Sequence, residues 1–75
     1  MTGSSYRIEH HYHQRRQTHY WLAVPSEKLP HHIFHSLRES CIAAGGWYSR
    51  KFKDTPAGFA FPTEQRAKRW ADENL

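Results

Sequence analysis

The segment from Pro30 to Gly46 constrains the fold most, because it carries the signals of one complete helix. Proline suits the first turn of a helix, and Pro30 stands where that turn would begin. Apolar side chains then recur at helical spacing along one stripe, which holds Ile33, Phe34, Leu37, Cys41 and Ala44. Gly45 and Gly46 follow, and glycine readily adopts the left-handed conformation that ends a helix. The sequence therefore predicts a helix over 30–44.

Strand patterns lie on both sides of this helix. Tyr6–His13 and His19–Val24 alternate between two faces and flank a polar, basic turn, which predicts a hairpin. Trp47–Phe52 and Gly58–Phe61 predict two further strands, separated by a turn over 53–57 that is rich in turn-forming residues.

A second helix is predicted from Glu64 to about Asn74. Thr63 precedes it as the N-cap, because a threonine hydroxyl can accept a hydrogen bond from an unpaired backbone N–H of the first turn. The element order is therefore ββαββα. Strand pairs that alternate with single helices indicate an α+β fold, an antiparallel sheet with both helices on one face. We expect a single domain over 6–75, preceded by a flexible N-terminus over 1–5.

Aromatic residues must supply much of the core. Only twelve of the 75 residues are Leu, Ile, Val or Phe, whereas eleven are Trp, Tyr or Phe. Each large aromatic ring can bury ~150–250 Å². The better core set from the second strand pair is Tyr48, Phe52, Phe59 and Phe61. The opposite face would then present Trp47, Ser49 and Lys51, with Trp21 as a possible neighbour.

The charge distribution suggests an anionic partner. The formal net charge is +4, and the basic excess lies in residues 1–25 and 50–75, with a neutral middle. An exposed tryptophan beside lysines suits base stacking together with phosphate neutralisation, and arginines at a loop tip can bind phosphate in bidentate fashion. The candidate binding residues are Arg15, Arg16, Trp47, Arg50, Lys51 and Lys53. An equal alternative is that Trp47 and Trp21 both cap the edge of the core.

Seven histidines raise the question of a metal site. His31 and His35 share a helix face, and His11 and His13 share a strand face, so each pair could contact one metal ion. We favour a solvated polar face, with a pairing of His13 and His19 across the hairpin, and expect no metal and no other cofactor.

No catalytic constellation is evident in the sequence. Cys41 lies on the apolar stripe of the first predicted helix and is expected to be a buried small hydrophobe. A single cysteine also excludes an internal disulfide. We therefore predict a protein that is not an enzyme and has no small-molecule substrate.

The stretch from Leu37 to Ala71 resembles a small domain found in large polyvalent proteins of plasmids, phages and integrative elements. The resemblance is carried by Ala44-Gly45-Gly46-Trp47-Tyr48-Ser49-Arg50, by Gly58-Phe59-Ala60-Phe61, and by Ala67 and Trp70. It departs from the family pattern where Trp70 replaces the usual Phe. It implies a mobile-element context near nucleic-acid machinery, in the cytoplasm of a bacterial host, and no catalytic residues are carried over.

These observations predict a binding protein that acts on nucleic acid or on nucleic-acid machinery. Direct contact with nucleic acid through the basic and aromatic candidates is the first hypothesis. The alternative is an inhibitor that binds a host defence nucleoprotein or nuclease, such as a CRISPR effector or a restriction enzyme. The third hypothesis is a metal-dependent module built on the histidines. No membrane partner is expected, since no apolar run approaches the ~18 residues of a transmembrane helix.

Overall fold

The computed structural model describes residues 6–75, and its centre is a four-stranded antiparallel sheet. The elements are β1 (Tyr6–His13), β2 (Thr18–Pro25), α1 (His31–Ala43), β3 (Trp47–Ser49), β4 (Gly58–Phe61) and α2 (Glu64–Asn74). The strands lie in the order β1-β2-β4-β3, so β4 separates β3 from the first hairpin. The predicted α+β fold of order ββαββα is confirmed. The predicted flexible segment 1–5 lies outside the described residues.

The strand registers assign the residues to two faces, because directly paired residues in an antiparallel sheet share a face. One row of paired residues crosses the whole sheet as Ile8, Ala23, Phe59 and Tyr48. The adjacent row, displaced by one residue on each strand, has the opposite orientation and consists of Glu9, Leu22, Ala60 and Trp47. Both helices pack on the first side, which we call the helix face. The other side is the open face.

The main core lies between the helix face and the two helices. Its buried members are Ala23, Leu37, Cys41, Phe59, Phe61, Ala67, Trp70 and Ala71. The ring of Trp70 lies 4.7 Å from that of Phe59 and 5.5 Å from that of Phe61, measured between centroids. Its indole N–H donates to the hydroxyl of Ser40 at 3.1 Å, which gives the buried indole a polar partner. Trp70 therefore joins α2, α1 and β4.

The helix ends follow the sequence signals. Gly45 has a φ of +92°, the left-handed conformation that ends α1. Thr63 Oγ1 accepts a hydrogen bond from the backbone N–H of Arg66 at 3.2 Å, so the predicted N-cap of α2 is confirmed. The Tyr6 hydroxyl also donates to the Asp72 carboxylate, which ties β1 to α2.

The third strand ends earlier than predicted. β3 stops at Ser49 instead of Phe52, because Phe52 and Thr55 pair across a tight turn in which Lys53 has a φ of 53°. The prediction that Phe52 belongs to the core is wrong, since 68% of its surface is exposed. Ile33 also lies outside the core and is 40% exposed.

Within residues 6–75, neither helix is long and apolar enough to cross a membrane.

Candidate nucleic-acid interface

An aromatic pair occupies the centre of the open face. The rings of Tyr20 and Trp47 lie 6.1 Å apart between centroids, with an angle of 50° between their planes. Tyr20 packs on a small buried cluster formed by Leu22, Val24 and Ala60. Trp47 is 39% exposed, so part of its ring surface is available to a ligand. We call Tyr20 and Trp47 the aromatic platform.

Gly58 and Ala60 give β4 no large side chain on the open face. A Cβ at Gly58 would lie 2.7 Å from the carbonyl oxygen of Ala23 and 3.0 Å from Cγ of Leu22. Such distances leave no room for a side chain at Gly58, and Ala60 beside it carries only a methyl group. Leu22 and Ala60 are fully buried on this face, and Tyr20 packs against them.

The prediction that Trp21 neighbours Trp47 is wrong. Trp21 lies on the helix face, where it pairs with Phe61 and packs against the main core. Its indole also stacks on His10, with centroids 4.7 Å apart and planes only 7° apart. The core-capping alternative therefore describes Trp21, whereas Trp47 stands on the open face beside Tyr20.

Sequence reasoning missed Tyr20 as a site residue. The alternation of β2 grouped Tyr20 with Leu22 and Val24, but Trp21 and Ala23 made the opposite face equally apolar. Because both faces are apolar, the pattern could not show which one the helices cover. The registers of β4 with β2 and β3 decide it.

Two histidines extend the platform toward the edge strand. The imidazole of His11 stacks on Tyr20 with centroids 5.6 Å apart, and His13 approaches the same ring edge-on at 6.5 Å. His11 Nε2 also contacts the Glu9 carboxylate at 2.9 Å. These contacts add two more planar groups to the open face.

Glu9 is the single acidic residue of β1 and β2, and its charge is compensated locally. Its carboxylate accepts a hydrogen bond from Arg7 Nε at 2.6 Å as well as contacting His11. The Arg7 hydrogen bond, partly offset by desolvation and reinforced by His11, holds the pKa of Glu9 below its usual value. Arg7 and His11 thus reduce the repulsion that this carboxylate would exert on a polyanion.

The predicted basic residues form two groups that the fold keeps apart. Arg15 and Arg16 are exposed in the β1–β2 turn, and the Arg16 backbone N–H donates to His13 Nδ1 at 3.2 Å. Arg50, Lys51 and Lys53 are exposed beyond the end of β3. The registers place the end of β3 level with Arg7 of β1. Arg7 lies six residues before His13, where the β1–β2 turn begins, so the two groups are separated by about 20 Å along the strands. Trp47, level with Glu9, lies between the two groups.

Two of the three basic residues of α2 pair with acidic residues of the same helix. Lys68 Nζ lies 3.8 Å from Glu64, as predicted, and Arg69 Nε lies 3.9 Å from Glu73. Both pairs are exposed, so each contributes little to stability. They nevertheless reduce the net charge that α2 offers to an anion.

The histidine pairs differ in part from the prediction. His31 and His35 are in contact as expected, with their Nε2 atoms 3.1 Å apart. His19 contacts His10, Nδ1 to Nε2, at 2.8 Å, so the predicted pairing of His19 with His13 is wrong. Across residues 6–75, no group of three or more His, Cys, Asp or Glu side chains is placed to hold one metal ion.

Cys41 is buried as predicted. Desolvation raises the pKa of its thiol to about 12, so the thiol is protonated near neutral pH. A protonated, buried thiol is a poor nucleophile.

Comparison with known proteins returned no match to a family model, to a curated protein or to a solved structure. The resemblance to the mobile-element domain stays a prediction.

Proposed function

We propose that this protein binds single-stranded nucleic acid on the open face of its sheet. The observation that carries the proposal is the aromatic platform, in which Tyr20 and Trp47 stand 6.1 Å apart on a face that neither helix covers. Each base that stacks on an aromatic side chain contributes about 1–3 kcal/mol, with little dependence on its identity. The platform can therefore hold unpaired bases without a strict sequence preference.

The shape of the site favours a single strand over a duplex. In a duplex, neighbouring bases cover one another's faces, and an α-helix or a β-ribbon must enter a groove to reach the base edges. Here Tyr20 and Trp47 lie on the open face of the sheet, and both helices pack on the opposite side. Sheet surfaces that carry aromatic side chains suit splayed, unstacked bases.

The two basic groups would contact the backbone on either side of the stacked bases. Arg15 and Arg16 lie beyond one end of the platform, and Arg50, Lys51 and Lys53 beyond the other. If all five neutralise phosphates, the logarithm of the binding constant should fall with the logarithm of the salt concentration with a slope near −3.5, at about −0.7 per phosphate. The separation of about 20 Å requires a strand of several nucleotides.

Fluorescence anisotropy with a labelled 12-nucleotide oligo(dT) and oligo(U) at low salt tests the proposal. Trp47→Ala should weaken binding about 5- to 150-fold, since it removes a stacking contribution of about 1–3 kcal/mol. Tyr12→Ala is the matched control, because Tyr12 is 50% exposed but lies on the helix face. Equal losses in the two variants, or no binding by the unaltered protein, would refute the proposal.

The alternative function uses the same residues against a protein partner. Tryptophan and arginine dominate binding hot spots between proteins, and Trp47 is exposed on a face that has basic groups beyond both of its ends. An inhibitor of a host defence nuclease should form a stable complex with a purified CRISPR effector or restriction enzyme. Such a complex, together with no binding of any oligonucleotide at low salt, would replace the first proposal with this one. The mobile-element context and the bacterial cytoplasm stay predictions.

A further inference from the structure

A cavity of about 560 Å³ opens on the helix-face side of the protein, away from the aromatic platform. It lies between the loop that follows β2, the first turns of α1 and the ends of β3 and β4 that meet at Gly58. Its volume falls within the ~300–1,000 Å³ of small-molecule sites.

Aromatic rings form the inner wall of the cavity. Phe34 meets Tyr48 edge-to-face, with centroids 4.8 Å apart and planes at 79°. Tyr48 meets Phe59 in the same manner, at 5.6 Å and 61°. Phe34, Tyr48 and Leu29 are only partly buried although they pack against the core, so apolar surface is left uncovered. A planar ring would extend this edge-to-face cluster and cover that surface.

The rim of the cavity combines opposite charges with hydrogen-bonding groups. Glu27 and Lys28 are both exposed there and carry opposite charges. His31 stands on the same rim, with its Nε2 in contact with His35. The rim therefore offers a carboxylate acceptor, an ammonium donor and an imidazole, with no net charge from Glu27 and Lys28 together.

We propose that this cavity binds an uncharged planar heteroaromatic ring, the chemical class to which the nucleobases belong. The aromatic wall selects a flat ring, and the rim satisfies ring donors and acceptors that a hydrocarbon lacks. The balanced rim charge gives no advantage to an anionic ligand.

This inference is separate from strand binding on the open face. Tyr48 lies on the helix face, whereas its neighbour Trp47 lies on the open face. A substitution in one site should therefore leave the other intact. The ring could come from a free nucleoside or from one base of a bound strand.

Titration of the ¹⁵N-labelled protein with adenosine and with uridine tests the proposal. We expect saturable shifts of the Leu29, Ala57 and Gly58 amides, with a dissociation constant of about 1 mM or below, which corresponds to a binding free energy of about −4 kcal/mol or stronger. Adenosine 5′-monophosphate should bind within about threefold of adenosine. Absence of shifts with both nucleosides, or at least tenfold tighter binding of the monophosphate, would overturn the proposal.

Three variants locate the site. Ala57→Phe should fill the cavity and abolish the nucleoside shifts while Trp47→Ala leaves them unchanged. If Ala57→Phe fails to fold, Glu27→Gln provides the same test on an exposed loop, with an expected loss of at least threefold in adenosine affinity. Glu64→Gln, an exposed carboxylate on α2, is the matched control and should bind normally. Equal affinity in the Glu27 and Glu64 variants, with retained binding by a folded Ala57→Phe protein, would contradict the assignment.

The oligonucleotide then identifies the source of the ring. If the 12-mer shifts the Leu29 and Ala57 amides, a base of the strand occupies the cavity. If it shifts only amides of the open face while adenosine shifts Leu29 and Ala57, the ligand is a free nucleoside. Failure of strand binding alone would leave the nucleoside titration unaffected, so the two proposals fail separately.

Discussion

Replacement of Gly46 by alanine tests how tightly α1 is packed against the sheet. A Cβ at this position would lie 2.5 Å from the carbonyl oxygen of Ala60, 2.7 Å from Cε2 of Phe61 and 2.8 Å from Sγ of Cys41. All three distances are shorter than real Cβ contacts, and all three atoms belong to buried residues. The added methyl group can fit only if α1 or the start of β3 moves away from β4.

The expected cost follows from this crowding. Extra methyl groups in well-packed cores typically cost about 1–3 kcal/mol. One of the crowded atoms is the main-chain oxygen of Ala60 in the central strand β4, which cannot move easily. We therefore expect Gly46→Ala to lower the free energy of unfolding by an amount at the upper end of this range, near ~3 kcal/mol. A domain of this size has about 4–11 kcal/mol of stability in total, so the variant should still fold.

Gly45→Ala is the matched control on the adjacent residue. A Cβ there would meet only the tip of the Arg66 side chain, at 2.9 Å, and that flexible side chain can move. Its cost should come from the left-handed φ of +92° and amount to about 1–2 kcal/mol. The two glycines are therefore expected to differ in the size of the penalty and in its origin.

Urea unfolding followed by tryptophan fluorescence measures both variants. At about 4–8 °C per kcal/mol, thermal melts should show a loss of about 12–24 °C for Gly46→Ala and about 4–16 °C for Gly45→Ala. A Gly46→Ala protein that is as stable as the unaltered chain, or more stable than Gly45→Ala, would refute the packing described for the α1–β3 junction.

Three further predictions concern local interactions. Thr63→Ala should lower the free energy of unfolding by about 1 kcal/mol, because it removes the cap on the Arg66 N–H; Thr63→Ser, measured in the same urea series, should retain most of it. Cys41 should not react with a thiol reagent at pH 8 in the folded protein and should react once urea unfolds it, since burial raises its pKa to about 12; rapid labelling without denaturant would contradict this. The pKa of Glu9 is lowered in the folded state, so its contribution to stability is complete above the unfolded carboxylate pKa near 4.3 and disappears as pH falls through the folded value. Urea unfolding should therefore show a larger destabilisation by Arg7→Ala at pH 7 than at about pH 3. The same loss of unfolding free energy at both pH values would contradict the stabilising role of the Arg7–Glu9 ion pair.

Local patterns in the sequence predicted the order and type of the elements. The helix signals at Pro30 and Gly45 were accurate to one residue at each end of α1, and Thr63 marked the start of α2. These features depend on residues close together in the chain. Local chemistry was therefore sufficient to predict them.

Features that depend on distant pairing were not predictable in the same way. The alternation over Trp47–Phe52 is compatible with a longer strand, and only the Phe52–Thr55 pairing in the structure shows that β3 has already ended. Likewise, Tyr20 becomes the neighbour of Trp47 because β4 lies between β2 and β3. No local pattern carries that information. The sequence thus suggested Trp47 but not its neighbour Tyr20. It also suggested the basic candidates but not that the fold separates them into two groups.

The position of β4 also governs when the protein can become stable during synthesis. A ribosome makes the β1–β2 hairpin first, and two strands alone are at most marginally stable in water. The inner edge of β2 pairs with β4, which is synthesised some 35 residues later. Synthesis proceeds at about 5–20 residues per second. For several seconds the nascent chain therefore presents an unpaired edge that includes Leu22 and Ala23, and a chaperone that shields extended apolar segments would act in that interval.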